Sequence, residues 1–133
     1  MARCMWRADS KTVAKRFIAA LSDKTPDRAC DMLAEDVTYT DSLGYRIEGQ
    51  RECCKALRQF FAMDLDFRIE PETISVRGND VYVRGNCFSN EPRLNAACLW
   101  KITVRKGRIA AYQSFRDKSP PAFAKVLSDA VAV

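Results

Sequence analysis

The sequence predicts an α+β fold in which one curved antiparallel sheet wraps its concave face around a long helix. Three observations support this. Apolar residues recur at helical spacing through the first half of the chain. From Leu65 onward the hydrophobic period changes to two, and tight-turn signals join the later segments. Consecutive strands joined by short turns form an antiparallel meander, against which the preceding helices can pack.

Two helices are predicted before the first strand. Residues 10–22 carry an apolar stripe that includes Phe17, and Ser10 can serve as the N-cap. Thr25 then begins a second, short helix with Pro26 at its first helical position. Both segments are amphipathic, so each is expected to bury one side.

A short strand begins at Val37 and ends in a turn at Ser42-Leu43-Gly44. Gly49 opens a third helix that extends to about Met63. Its outer side is polar, and its inner side is a continuous apolar stripe of Cys53, Cys54, Leu57, Phe60 and Phe61.

Four longer strands complete the predicted sheet, at about 65–77, 80–89, 93–105 and 108–117. Pro71 lies inside the first of them, which must therefore be an edge strand there or carry a bulge. Alternation places Tyr82, Arg84, Asn86 and Phe88 of the second on the outer face. This mixture of polar and aromatic side chains suits a contact between subunits.

The chain of 133 residues is interpreted as one domain, 1–133, with its core at about 10–117. Residues 118–133 are predicted to form a helical tail, capped by Ser119. The tail could lie across a pocket mouth or against a neighbouring subunit, and both alternatives stay open.

Bulk composition is that of an ordinary globular protein, with 47% hydrophobic and 29% charged residues. No apolar run approaches the roughly 20 residues of a membrane span, and the N-terminus lacks a secretory signal. The six cysteines follow no disulfide or metal-binding spacing. We therefore expect free thiols, a cytoplasmic location and no membrane partner.

The sequence contains no histidine. This excludes Ser-His and Cys-His nucleophile pairs and histidine-ligated metals. Glycine-rich phosphate loops are missing as well, so no metal or cofactor is expected. A basic cluster at Lys101, Arg105, Lys106 and Arg108 accompanies the net charge of +5. It straddles a predicted turn and reads as a solvated edge, so no nucleic-acid partner is expected.

Asp41 is the first candidate for chemistry. It shares a strand face with Val37 and Tyr39, which favour burial. A carboxylate aimed inward is costly unless it is paired, hydrogen-bonded or solvated in a pocket. The alternative is that Asp41 simply ends the strand and caps the turn after it, since Asp is common there.

The chain resembles the nuclear-transport-factor-2-like superfamily, and within it the SnoaL-like polyketide cyclases and ketosteroid isomerases. The residues that carry the likeness are Val13 to Leu21, Met32 to Gly44, Gly49, and Trp100 to Ile109. The resemblance implies a cone-shaped, cystatin-like α+β barrel with a deep pocket, commonly dimeric through the outer sheet face.

The resemblance also implies candidate site residues. Asp41 falls where isomerase-like members have the base that removes a proton next to a carbonyl, which favours a pocket-facing Asp41. The remaining candidates for substrate binding are Phe17, Tyr39, Trp100, Tyr112 and Ser114. Phe17 stands where steroid isomerases have a tyrosine donor. The position of their protonated acid corresponds to Trp100, or to Leu99 if the register shifts by one residue. Because oxyanion donors are lost, true steroid isomerase activity is not expected.

Two functions follow as hypotheses. The first is a cofactor-independent isomerase, cyclase or lyase in which Asp41 abstracts a proton from a small hydrophobic carbonyl compound. The second is a non-catalytic dimeric module that binds a hydrophobic ligand or a protein. Epoxide hydrolases of this superfamily use an Asp–Arg–Asp set, which the resemblance does not preserve. Arg84-Gly85-Asn86 replaces their Arg-x-Asp pair, and Ser114 stands where the second acid should be. Because Arg84 is also predicted to point outward, epoxide hydrolysis is not expected.

Overall fold

The computed structural model describes residues 9–116 as an α+β domain. The predicted tail at 118–133 lies outside the described residues. Three helices precede most of the sheet, and a single 3-10 turn, Pro92–Leu94, interrupts the meander. In chain order the elements are α1 (Ser10–Ser22), α2 (Pro26–Asp31), β1 (Leu33–Thr40), β2 (Arg46–Glu48), α3 (Gln50–Ala62), β3 (Arg68–Arg77), β4 (Asp80–Phe88), β5 (Ala96–Arg105) and β6 (Arg108–Arg116).

The sheet has six strands in the order β2-β1-β6-β5-β4-β3. Strands β3 to β6 form the predicted antiparallel meander. Strand β1 pairs in the antiparallel direction with β2, which follows it in sequence. It also pairs in the parallel direction with β6, which is distant in sequence. The sheet is curved and open, and the predicted fold class is confirmed.

Helix α1 packs against β3, β4, β5 and β6, whereas α3 packs against β1, β2 and α2. The buried side of α1 includes Val13, Phe17 and Leu21, as the helical spacing predicts. Its N-cap is Asp9, whose side chain accepts a hydrogen bond from Thr12 N at 2.7 Å. Ser10 is the first helical residue, so the sequence prediction of the cap was displaced by one residue.

Two boundaries depend on glycine or on a bulge. Gly49, with φ of 91°, turns the chain into α3. Pro71 lies in the edge strand β3, and the β3–β4 register shifts between Pro71 and Thr73. Opposite this bulge, a Cβ added to Gly85 would lie 2.2 Å from Glu70 O. The close approach of two backbones there requires glycine.

The core lies between the helices and the inner face of the sheet. The alternate residues of β4 lie on the outer face of the sheet. Of these, Tyr82, Asn86 and Phe88 are half-buried and Arg84 is exposed. Five described cysteines are free and buried within the core. These positions agree with cysteine acting as a small apolar residue.

Candidate functional site

The candidate residues lie on two neighbouring rows of the inner sheet face. In the first row Tyr39 pairs with Tyr112, which pairs with Ile102. Asp41 directly follows Thr40, the last residue of β1, which pairs with Gln113 next to Ser114. Ser114 in turn pairs with Trp100 on β5. The topology therefore brings Asp41, Tyr39, Trp100, Tyr112 and Ser114 to one region, although they are far apart in sequence.

Asp41 is almost fully buried, with 1% of its surface exposed. Its Oδ1 atom accepts hydrogen bonds from Leu43 N at 2.9 Å and Tyr45 N at 3.0 Å. The backbone of Asp41 also pairs with Tyr45 O and Gly44 N across the same turn. The inward-facing and turn-capping interpretations thus hold together: a buried carboxylate organises the loop that follows β1.

Tyr39 and Ser114 form a buried hydroxyl pair, with their oxygens 3.0 Å apart. Burial raises the pKa of Tyr39, and the nearby negative charge of Asp41 raises it further, while the Ser114 hydrogen bond opposes the shift. Tyr39 therefore stays protonated over the physiological range and can act as a hydrogen-bond donor.

A small, mainly apolar cavity lies beside this pair, between α3, α1 and the sheet. Its volume is about 60 Å³. Aromatic and aliphatic side chains form its walls: Leu21, Tyr39, Ile47, Ala56, Leu57, Phe60, Phe67, Trp100 and Tyr112. Three of the predicted binding residues, Tyr39, Trp100 and Tyr112, line this cavity, whereas Asp41, Phe17 and Ser114 do not.

Phe17 supports the cavity from α1. Its ring meets Tyr112 edge-on, with centroids 5.1 Å apart, and Tyr112 lies 4.7 Å from Tyr39. Burial raises the pKa of the Tyr112 hydroxyl well above its usual value, and the neighbouring Cys53 raises it further. Phe17 and Tyr112 therefore contribute mainly packing at this site.

Trp100 is the third predicted wall residue. Its indole group interacts with a pair of buried thiols, Cys87 and Cys98, whose sulfurs are 2.8 Å apart. The hydrogen bond from Cys87 lowers the pKa of Cys98, and the Trp100 contact acts in the same direction.

Sequence reasoning missed the part of the wall that α3 and the following loop supply. Phe60 and Phe67 stack edge-to-face with centroids 5.1 Å apart, and Leu57 lies one helical turn before Phe60. The helical stripe at 53–61 contained this signal, but an apolar stripe of this kind is equally expected in a solid core. Arg84 is exposed on the outer face, as its parity predicts.

Metal-ligand clusters and membrane-spanning helices are both absent from residues 9–116. No group of three or more potential metal ligands gathers there. Nor does this part of the chain contain a helix long and apolar enough to span a bilayer.

The fold and this buried site define a class of small α+β domains in which helices close the concave side of a curved sheet. Residues 14–112 match the family model of the SnoaL-like domain. The match spans more than half of the chain, and the protein therefore belongs to the SnoaL-like family within the nuclear-transport-factor-2-like superfamily. No curated protein matches the sequence.

Solved structures show the same fold at low sequence identity. An NTF2-like protein of unknown function from Cytophaga hutchinsonii is 20% identical, with a TM-score of 0.68 over 81% of this chain and 89% of that one. An LEH-like epoxide hydrolase from M. tuberculosis is 21% identical, with a TM-score of 0.71 over 81% and 82%. A Catenulispora acidiphila protein with a ketosteroid isomerase-like fold is 14% identical, with a TM-score of 0.67 over 77% and 83%.

Proposed function

We propose that the protein binds a small apolar carbonyl compound in the cavity beside Tyr39. The observation that carries this proposal is the cavity itself, which is lined by aromatic and aliphatic side chains and includes Tyr39, whose hydroxyl is bonded to Ser114. Apolar walls with few, fixed polar groups are typical of ligand sites. When the Ser114 hydroxyl donates its hydrogen bond to the Tyr39 oxygen, the Tyr39 O–H is free to donate to a carbonyl oxygen.

The size of the cavity restricts the ligand. At about 60 Å³ it is smaller than the roughly 150 Å³ engineered cavity that accommodates benzene. A ketone of four or five heavy atoms is therefore a better candidate than a steroid or an aromatic polyketide. A larger ligand requires Phe60 or Phe67 to change rotamer, which would disrupt their edge-to-face contact.

A cavity-filling substitution tests the proposal. Ala56 on α3 lines the cavity, whereas Ala62 on the same helix is exposed. We expect 2-butanone to raise the melting temperature of the wild type and of Ala62→Leu, but not of Ala56→Leu. An equal response of all three proteins, or none in the wild type, would contradict binding at this cavity.

Catalysis by Asp41 is a second candidate, favoured by one observation. Asp41 is a buried carboxylate whose negative charge raises the pKa of the Tyr39 hydroxyl. In this scheme the carboxylate takes a proton from the carbon next to the carbonyl, and Tyr39 stabilises the resulting enolate oxygen. Because Asp41 does not line the cavity and accepts hydrogen bonds from the loop, the binding function has the stronger geometric support.

Deuterium exchange separates the two candidates. A base of this kind would exchange the α-protons of bound 2-butanone with deuterated solvent, and NMR would follow the loss of signal. Asp41→Asn keeps an Oδ1 acceptor for the loop but cannot act as the base. Exchange that is catalysed by the wild type and absent from Asp41→Asn would establish catalysis; equal rates would leave only binding.

We also propose that the outer sheet face forms a homodimer contact. Phe115 is 40% exposed there, and Phe88 is half-buried under Arg68, whose guanidinium lies 4.8 Å from the ring centroid. Partly exposed apolar groups within a polar rim are typical of subunit contacts. Light scattering should show a dimer for the wild type and for the loop control Leu43→Asp, but a monomer for Phe88→Asp. A monomeric wild type, or a dimeric Phe88→Asp, would contradict this.

A further inference from the structure

A second concave surface, larger than the apolar cavity, is an open groove along α1. Its volume is about 700 Å³. Three elements border it: α1, α2 and the turn between β5 and β6. Its described lining consists of Val13, Arg16, Ala19, Arg28, Asp31, Met32, Lys106, Gly107 and Arg108.

The groove is strongly cationic. Arg16, Arg28, Lys106 and Arg108 face a single acidic residue, Asp31. Within residues 9–116 none of these four cations forms an ion pair, whereas other arginines, such as Arg58 with Asp27 at 2.9 Å, do.

The backbone brings these charges together. Arg108 donates through Nη1 to Asp31 O at 2.8 Å, and Ile109 N donates to Met32 O at 2.8 Å. These bonds attach the start of β6 to the end of α2. Lys106 and Gly107 both have positive φ, at 53° and 77°, which fixes the tight turn that carries Lys106. The juxtaposition of the cations is therefore a property of the fold.

We propose that this groove binds a phosphorylated small molecule. A concave surface lined by one sign of charge concentrates ions of the opposite sign. Arginine forks recognise phosphate oxygens in pairs, and a lysine adds a mobile point charge. Val13, Ala19 and Met32 supply an apolar floor for the organic part of the ligand.

Size and composition favour a small molecule over a nucleic acid. The volume of about 700 Å³ falls within the roughly 300–1,000 Å³ that small-molecule sites occupy. Sites for single-stranded nucleic acids combine positive charge with aromatic side chains on which bases stack. The described lining of the groove contains no aromatic residue.

The groove and the apolar cavity are separate sites that share α1. Val13, Arg16 and Ala19 of the helix border the groove, and Leu21 borders the cavity. Phosphate binding therefore does not depend on the proposed carbonyl ligand. The cavity-filling variant Ala56→Leu should bind pyrophosphate as the wild type does.

Calorimetric titration with inorganic pyrophosphate tests the proposal. Salt of about 50 mM keeps the screening length above about 10 Å. The groove variant is Arg16→Gln/Arg28→Gln/Lys106→Gln, which spares the backbone contacts of Arg108. The matched control Arg51→Gln/Lys55→Gln/Arg77→Gln removes the same charge from exposed residues outside the groove.

We expect the groove variant to bind pyrophosphate at least about tenfold more weakly than the wild type, since charge-assisted hydrogen bonds are lost. The control should stay within about twofold, because exposed distant charges are screened. An equal loss in both variants would reduce the effect to net charge and overturn the proposal. Undetectable pyrophosphate binding by the wild type, or tighter groove-dependent binding of a single-stranded oligonucleotide, would overturn it as well.

Discussion

Replacement of Asp41 by alanine tests how the buried carboxylate contributes to the fold. Its Oδ1 atom accepts the N–H groups of Leu43 and Tyr45 at 2.9 and 3.0 Å. Alanine removes this acceptor and leaves both donors without it. Asn at the same position retains an oxygen that can accept both bonds.

The size of the effect follows from these contacts. A hydrogen bond to a charged group contributes about 1.5–3 kcal/mol to stability. The side chains of the donor residues Leu43 and Tyr45 are 44% and 60% exposed, so water can replace part of what is lost at this loop. We therefore expect Asp41→Ala to lower the free energy of unfolding by about 2–3 kcal/mol, nearer the value of one such bond than of two. Asp41→Asn should cost about 1 kcal/mol or less, because a neutral acceptor still forms both bonds.

Urea unfolding at neutral pH measures this difference. With a denaturant slope typical of a small domain, the alanine variant should unfold at a urea concentration about 1–2 M lower. Glu35→Ala is a matched control, since Glu35 is an exposed carboxylate on the same strand. It should stay within about 0.5 kcal/mol of the wild type, as surface substitutions usually do. An Asp41→Ala protein as stable as this control would refute the capping role.

Two further predictions concern the core. Gly85→Ala should lower stability by about 1–3 kcal/mol in urea unfolding, because its Cβ must displace the backbone at Glu70; unchanged stability would contradict the close approach at the bulge. Burial raises the pKa of Cys53 to about 11 and also raises that of Tyr39. The unfolded state then releases these protons first, so stability should fall as the pH rises above about 9 for Cys53 and above about 10 for Tyr39, by up to about 1.4 kcal/mol per pH unit for each group. Between pH 9 and 10 the stability of Cys53→Ala should fall less steeply than that of the wild type. Equal slopes for the two proteins would contradict the assignment of this fall to Cys53.

Much of the fold was predictable because the relevant signals are local. Alternation along β1 correctly placed Tyr39 and Asp41 on the buried face. Pro71 correctly predicted an edge strand with a bulge. Proline has no N–H group to donate a hydrogen bond to a neighbouring strand, so it is excluded from the interior of a regular sheet. The sequence predicted Ser10 as the helix N-cap, whereas the structure has Asp9. The two residues are adjacent and both types cap helices well, so the sequence alone does not choose between them.

The candidate site was less predictable because its form depends on long-range packing. The parallel pairing of β1 with β6 brings Tyr39 beside Tyr112 and within hydrogen-bond distance of Ser114, and no periodicity encodes a pairing of strands so distant in sequence. The volume left inside depends on how Phe60 and Phe67 pack, which a list of apolar residues does not specify. Only the joint position of several elements gathers Arg16 and Lys106 at one groove.

Methyl NMR tests most directly whether the cavity beside Tyr39 is the ligand site. The methyl groups of Leu21, Ile47 and Leu57 line this cavity, and those of Val76 report on an exposed position of the edge strand β3 outside it. During titration with 2-butanone, we predict saturable shifts of the three cavity residues while Val76 stays constant. Shifts confined to Val76, or no saturable change at the cavity, would contradict the proposed function.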